Sequence, residues 1–397
     1  MQIDLAVSPP LTPSAEAEML ARGLQLRPDN PALRLRLAGL LLDADDFAGA
    51  ELLLIDEEAQ PSGQEAQLLL ATALLAVHDH GRDQRAAAIC ERAVAAAGSA
   101  HERATALAVQ GKTLLRTGRP EAAEAVLREA LQAEPGNVAA FKRLALHLLD
   151  RKAFAAVIAL VDTLGQAGVT HARLLAARAA ALAGLGAYAE ARDLLGYDDL
   201  AVHRPLPVPP GWSDLAGFNR ALEQGLAANP TARNNRFGTA SRQTLRVDDP
   251  LAGGDPAMHA LLGAISDAVA DHAAALDPAQ HPWIAAMPDR AELRSWCVSV
   301  AGDGWEEWHT HPDGWISGGY YIAVPDTVVS GEDEGGCFAL GLPEGLVGAA
   351  AADAVGQRLI RPQPGSLVLF PSHGYHRTYP HHGEGRRICL AFDICPR

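Results

Sequence analysis

The sequence predicts a multidomain α + β protein, with an N-terminal α-solenoid of paired helices followed by a β-rich domain of barrel or jelly-roll type. Three observations carry this expectation. Small and apolar residues recur at a fixed long period through the first half. A proline cluster at His203–Trp212 interrupts the helical composition. Beyond it, short runs of strand character alternate with Gly-, Pro- and Asp-rich breaks.

Residues 14 to about 197 are rich in Ala, Leu, Glu and Arg. Gly111, Ala145 and Ala179 are spaced by 34 positions (145 − 111 and 179 − 145). Pro120, Phe154 and Tyr188 keep that spacing, as do Ala123, Val157 and Ala191. An earlier unit places Ala38, Phe47 and Ala50 at matching offsets, and a less regular unit lies around Ala71–Gly98. The strings "RPDN" and "EPGN" close units at Pro28 and Pro135. The pattern resembles the tetratricopeptide repeat family, in which small residues let two antiparallel helices approach and a proline ends the second. The resemblance implies stacked helix pairs whose concave face holds a peptide or partner. An arm for oligomerisation is the other use of such an array. The helix-borne His78, His80, His101 and His147 are read as structural or solvated.

Composition sets bounds on function. Of 397 residues, 48% are hydrophobic but only 5% aromatic, so much of the apolar content is alanine and leucine, which suits helical packing. A net charge of −15 argues against a nucleic-acid binder, which needs a basic face. Cys90, Cys297, Cys337, Cys389 and Cys395 are scattered and form no C-x-x-C pair, as expected in a reducing compartment. The start, "MQIDLAVSPPLTPS", lacks a basic region and a long apolar core, so no signal peptide is expected. No apolar run approaches the roughly 20 residues that a membrane span requires. The expectation is a soluble cytoplasmic protein.

The proline cluster divides the chain into a helical domain over 1–202, a Pro-rich linker or extended entry strand over 203–212 and a β domain over 213–397. Within the last, helical patches are expected at Asp214–Ala228 and Pro256–Leu276. Strand-like runs follow in "LRSWCVSVA", "SGGYYIAV", "GCFALGL", "RLIRPQPGSLVLFPS" and "RRICLAFDI". The stretch Asp326–Gly356, rich in Gly and acidic residues, is expected to be irregular and to include a mobile flap.

Three features of the β region carry chemistry. In "HTHPD", His309, His311 and Asp313 fall at alternate positions, which an extended strand turns to one side. In "PGSLVLFPSHGYHRTYPHH", His373 and His376 follow a buried strand, whereas His381 and His382 stand with Glu384 in a Gly-rich tip and are read as solvated. In "GRRICLAFDI", Ile388, Leu390 and Phe392 share one face and Arg387, Cys389 and Ala391 the other. An arginine among small residues leaves room for a ligand that it grips by two parallel hydrogen bonds. Arg386 is its rival, on the face of Leu390 and Phe392. Together these are the parts of a non-haem iron oxygenase, in which two histidines and a carboxylate fill three iron positions and a 2-oxo acid and oxygen take the rest.

Residues from about 212 to 395 resemble the 2-oxoglutarate/iron(II) oxygenases often fused to tetratricopeptide repeats. The matching pieces are the strand around Trp296, "HTHPDGWISGGYYIAVP", "PGSLVLFPSHGYH" and "RRICLAF". The resemblance implies a double-stranded β-helix with His376 as the distal iron ligand and Arg387 as the 2-oxoglutarate anchor. It also implies that Ser317 and Tyr321 line or approach the co-substrate. Cys389 stands where the family more often has serine. The wider superfamily favours H-x-D, which selects His311 and Asp313; nearer relatives favour H-x-H, which selects His309 and His311. A carboxylate offsets the ion's charge, so the preferred set is His311, Asp313 and His376, with His309 orienting a ligand or substrate.

The implied activity is hydroxylation of a protein or peptide side chain recruited by the repeats, with iron(II) as cofactor and 2-oxoglutarate as co-substrate. The rivals are a cupin-like three-histidine dioxygenase that uses no 2-oxoglutarate, and a repeat scaffold whose β domain has lost its chemistry. Neither nucleic acid nor membrane is an expected partner, and an oligomer is compatible with the sequence.

Overall fold

The computed structural model describes residues 1–234 and 240–397. Its contacts divide the chain into two compact units, Leu11–Ala153 with Asp162–Val169, and Met1–Pro10 with Phe154–Val161 and Thr170–Arg397. The boundary therefore differs from the expected 1–202. The helices after Thr170 and the first ten residues pack with the β region.

The repeat unit is built of antiparallel helix pairs, among them Ala100–Arg116 with Pro120–Ala133. The recurrent positions have a common structural meaning. Pro120, Phe154 and Tyr188 each open a helix, where proline's missing N–H costs nothing. Ala38, Ala50 and Ala123 are fully buried in this unit. Gly111 is a close approach within a helix pair, because a Cβ there would lie 2.5 Å from Leu127. Helices end at Leu26 and Ala133, just before Pro28 and Pro135, and the asparagines of "RPDN" and "EPGN" begin the next ones: Asn30 and Asn137 each accept a backbone N–H of the next first turn. Ser99 and Glu102 form a reciprocal capping box at the start of Ala100–Arg116.

The second unit is organised by two sheets. Its strands are β1 (Gln2–Leu5), β2 (Val202–Pro205), β3 (Ala232–Asn234), β4 (Ser241–Val247), β5 (Arg290–Glu306), β6 (Ile316–Ala323), β7 (Phe338–Leu340), β8 (Arg358–Ile360), β9 (Ser366–Pro371), β10 (His376–Thr378) and β11 (Arg386–Pro396). The large sheet runs β2-β9-β6-β11-β5-β4-β3, with β1 parallel to β5; the small sheet runs β10-β7-β8. This is the double-stranded β-helix architecture.

Two segments bear on the expectations, the first as the extended entry strand and the second as a departure. The proline cluster begins inside β2, which pairs with β9 as the edge of the large sheet, a place where a strand tolerates proline. The stretch Asp326–Gly356 carries β7 and three short helices. The expected flap is thus occupied by ordered elements that complete the small sheet.

Alternation along β11 decides which face does what. Ile388, Leu390, Phe392 and Ile394 share one buried core with Phe218, Leu261 and Ile265 of the helices Leu215–Ala227 and Pro256–Ala274. Full burial of one such side chain contributes about 1.5–3 kcal/mol. Arg387, Cys389 and Ala391 look the other way, into a cleft between the two sheets. Trp283 and Trp315 stack at 4.6 Å, and each indole N–H donates to the other's backbone carbonyl. This pair pins the start of β6 immediately after the histidine loop.

Candidate functional site

The segment between β5 and β6 leaves the sheet after Glu306 and meets the small sheet through a backbone bridge at His309 and through the Trp308 ring, over which Arg377 lies. His309 and His376 exchange both backbone hydrogen bonds at 3.0 Å, and the His311 N–H donates to the Ser372 carbonyl at 3.0 Å. Gly314 permits the close return of this loop, since a Cβ there would lie 2.5 Å from Ser372 Oγ. The result brings His309, His311 and His376 together, with one ligand atom from each within 4.8 Å of the others.

Each ring is oriented through its Nδ1. His309 Nδ1 donates to the Glu307 carbonyl at 2.7 Å, and His376 Nδ1 donates to the Gly374 carbonyl at 3.1 Å. His311 Nδ1 bonds to Asp393 Oδ1 at 2.5 Å. Three Nε2 atoms are thereby left as acceptors facing one point, the arrangement that a metal-bound imidazole needs. Burial, with the neighbouring histidines, lowers the pKa of His309 and takes that of His376 well below the usual imidazole range. For His311 burial acts in the same direction, but the charge and hydrogen bond of Asp393 bring the net shift upward. This donor set fits a divalent first-row metal.

Asp313 is not part of this group. The chain bends at Pro312–Asp313, so the alternation assumed for a strand stops at His311 and the Asp313 side chain is exposed. Its charge acts on Arg173 and Arg294 instead. The preferred set of His311, Asp313 and His376 is therefore not what the structure assembles; His309 stands in the third place. Ser317 also differs from expectation. It is fully buried outside the cleft and bonds to Asp393 at 2.6 Å and to Ser372 at 2.7 Å. It props the carboxylate that holds His311.

Arg387 and Tyr321 do line the cleft with the three histidines, beside Trp296, Thr378 and Cys389. Arg387 is 3% exposed and donates through Nη1 to the Gly336 carbonyl at 2.6 Å and through Nη2 to Thr378 Oγ1 at 2.8 Å. These bonds fix the guanidinium and leave Nε–H and one Nη2–H as a fork for a carboxylate. Burial pushes the Tyr321 hydroxyl upward, so it stays a neutral donor.

His373 is buried and donates from Nε2 to the Leu194 carbonyl at 2.8 Å, away from the triad. His382 is exposed and bonded to Asp303 at 2.8 Å.

Two residues escaped the sequence reading. Asp393 lies 82 positions from the histidine that it orients, one residue beyond the alternating run Arg387–Phe392. Glu306 lines the cleft with Trp296, Val298 and Val300. Glu306 lies beyond the irregularity in β5 between Val300 and Trp305, across which alternation from Trp296 and Val298 does not carry.

Residues 294–393 match the family model described as "Putative 2OG-Fe(II) oxygenase", and residues 114–181 match a tetratricopeptide repeat model. No curated protein matches the chain. Solved structures with some similarity include a prolyl-4-hydroxylase from Pseudomonas putida, at 16% identity and TM-score 0.35, covering 52% of this chain and 99% of that one. HygX from Streptomyces hygroscopicus, solved with nickel, 2-oxoglutarate and hygromycin B, shows 15% identity and TM-score 0.34, with 51% and 86% covered. YrrB, a tetratricopeptide repeat protein with an unusual peptide-binding site, shows 14% identity and TM-score 0.33, with 46% and 92% covered. The chain thus carries tetratricopeptide repeats followed by a domain of the 2OG-Fe(II) oxygenase family, whose cofactor is iron(II) and whose co-substrate is 2-oxoglutarate.

Proposed function

We propose that this oxygenase hydroxylates a protein or peptide side chain recruited by the repeats, with His309, His311 and His376 holding iron(II) and Arg387 anchoring 2-oxoglutarate. The observation that carries the reading is the sharing of one cleft by three convergent Nε2 atoms and a buried, forked arginine. A three-histidine dioxygenase without 2-oxoglutarate has no need of that arginine.

When bound, iron(II) and 2-oxoglutarate supply oxygen activation coupled to oxidative decarboxylation of the 2-oxo acid to succinate. The chain's own part is positional. Asp393 keeps His311 in one tautomer, and the Glu307 and Gly374 carbonyls do so for His309 and His376. Arg387 grips the far carboxylate of the 2-oxo acid, and Tyr321 closes the wall beside it. Val298, Val300, Phe338 and Phe370 keep the cleft apolar, which excludes water and strengthens each polar contact within it. The repeats are the reason to favour a macromolecular substrate over a free metabolite.

The test compares the proteome of cells with and without the gene for residues that gain one oxygen atom, alongside succinate release by the purified chain. The reading expects iron-dependent succinate formation and a modified protein site that disappears with the gene. Oxygen uptake that ignores 2-oxoglutarate would favour the metal-only dioxygenase. Turnover with no modified protein would remove the macromolecular substrate.

A further inference from the structure

The first helices of successive repeat pairs pack on one another, Gln64–Leu74 on Ala100–Arg116 and Ala100–Arg116 on Val138–Asp150. In a solenoid this marks the inner row, whose free side lines the groove. On Ala100–Arg116 that side carries Thr105, Val109, Lys112 and Arg116, partly exposed and at helical spacing. On Val138–Asp150 it carries Ala139, Lys142, Arg143 and Leu146.

This face is cationic in a chain whose net charge is −15, and two of the chain's three lysines, Lys112 and Lys142 but not Lys152, stand on it. Arg116 is neutralised by Asp83 at 2.9 Å and tied to the Leu75 carbonyl at 2.9 Å. Lys112 and Arg143 lack such a partner. Among the described residues neither forms an ion pair, and Arg143 donates only to the Ala139 carbonyl of its own helix, at 3.0 Å. Burial and the charges of Arg143, Arg116 and Lys142 lower the Lys112 pKa, and of the neighbouring charges only Asp83 acts the other way. Like charges gathered without an anion to offset them are unfavourable, and a bound carboxylate relieves them.

The spacing selects the ligand. Packed helices have axes about 8–10 Å apart, and alternate side chains of an extended chain lie about 7 Å apart on one side. An extended peptide with acidic residues at alternate positions can meet Lys112 from one helix and Arg143 from the other. The floor between them is aliphatic, with Val109 and Leu146 partly exposed, while Phe141 is buried. A nucleic-acid strand needs aromatic faces on which to stack its bases, and this stripe offers none.

We propose that this inner face docks an extended acidic segment of the substrate protein, with Lys112 and Arg143 each taking a carboxylate. It rests on the reading that the repeats recruit the substrate, and names the charge of the segment recruited. Lysine supplies a point charge, and arginine a fork that holds its carboxylate bidentately.

The test is fluorescence anisotropy of labelled oligoglutamate and oligoglutamine peptides with the full-length wild type, Lys112→Gln, Arg143→Gln and the double variant. Arg22→Gln, which removes an exposed cation on the helix Pro13–Leu26, is the control. The wild type is expected to prefer oligoglutamate and to bind it less tightly as salt rises. Each single variant should bind about tenfold more weakly, the loss of one charge-assisted hydrogen bond, and the double variant should lose binding. Arg22→Gln should match the wild type, and no variant should melt earlier, because no anion within the chain is left unpaired. Equal binding of the two peptides would overturn the docking face, as would equal losses in Arg22→Gln and Lys112→Gln. So would tighter binding of oligothymidylate than of oligoglutamate. Should a glutamine variant melt early, carbodiimide-activated oligoglutamate decides on the wild type. It should couple to Lys112 or Lys142 ahead of the exposed Lys152, and coupling to Lys152 alone overturns the proposal. Iron-dependent succinate release with no peptide binding sinks the docking face and leaves the enzyme; peptide binding without succinate release does the reverse.

Discussion

The repeat unit is held together by neighbours in sequence, and the oxygenase unit by strangers. In the first, Gly111 meets Leu127 within one helix pair. In the second, β11 lies between β5 and β6, with Arg386 opposite Ala301, and the site draws on loops and strands scattered from Ser241 to Asp393. Redundant local contacts tolerate the loss of one member. A site assembled once, from distant pieces, does not. The two units should therefore respond differently to single substitutions.

The largest effect is expected at the metal site. His376→Ala removes one of three convergent nitrogens and should weaken iron(II) binding by more than about a hundredfold, beyond the range for lost supporting groups. Anaerobic iron titration measures it. Retained affinity would mean that the cluster is not the metal site.

Acid should expose the cost of buried imidazoles. Burial holds the His373 pKa down to about 4, against about 6.5 when unfolded. The unfolded chain then binds more protons between those values, so stability falls as pH drops from about 6.5 to about 4, by about 3 kcal/mol from this group. Chemical denaturation across that range should show a shallower decline in His373→Gln. An identical decline would assign the acid sensitivity to other groups.

In the repeats, Gly111→Val places a side chain where Leu127 already sits. Overpacking of this kind costs about 1–3 kcal/mol, visible as a shifted denaturation midpoint. Iron affinity should not change. A parallel loss of iron binding would blur the contrast between the units. The smallest effect is expected at Asp313, because an exposed carboxylate outside the cluster has nothing to hold there. Asp313→Ala should leave iron affinity within about twofold of wild type, and a larger loss would return the acid to the loop.

The same contrast explains what could be read from sequence. The solenoid was legible because period is a property of the chain itself: Pro120, Phe154 and Tyr188 announce helix starts without any knowledge of packing. The parity of β11 was legible too, since alternation put Arg387 and Phe392 on opposite faces. What failed lay where periodicity stops. The bend at Pro312–Asp313 ended the strand that alternation assumed, and so Asp313 was placed on the wrong side. Ser317 was matched to a role by resemblance, yet it points to Asp393. β1 was missed because a four-residue strand carries too little pattern to stand out.

The central claim is that one cleft holds both the metal and the 2-oxo acid. It is tested most directly by anaerobic titration of 2-oxoglutarate into iron(II)-loaded wild type and Arg387→Lys. A lysine keeps the charge but cannot present two parallel N–H groups to a carboxylate. Iron affinity should stay the same in both proteins, while the variant should need about tenfold or more additional 2-oxoglutarate to reach half-saturation, the loss of roughly one charge-assisted hydrogen bond. Equal 2-oxoglutarate affinity in the two proteins would show that Arg387 is not the anchor and that the cleft does not hold the co-substrate as described.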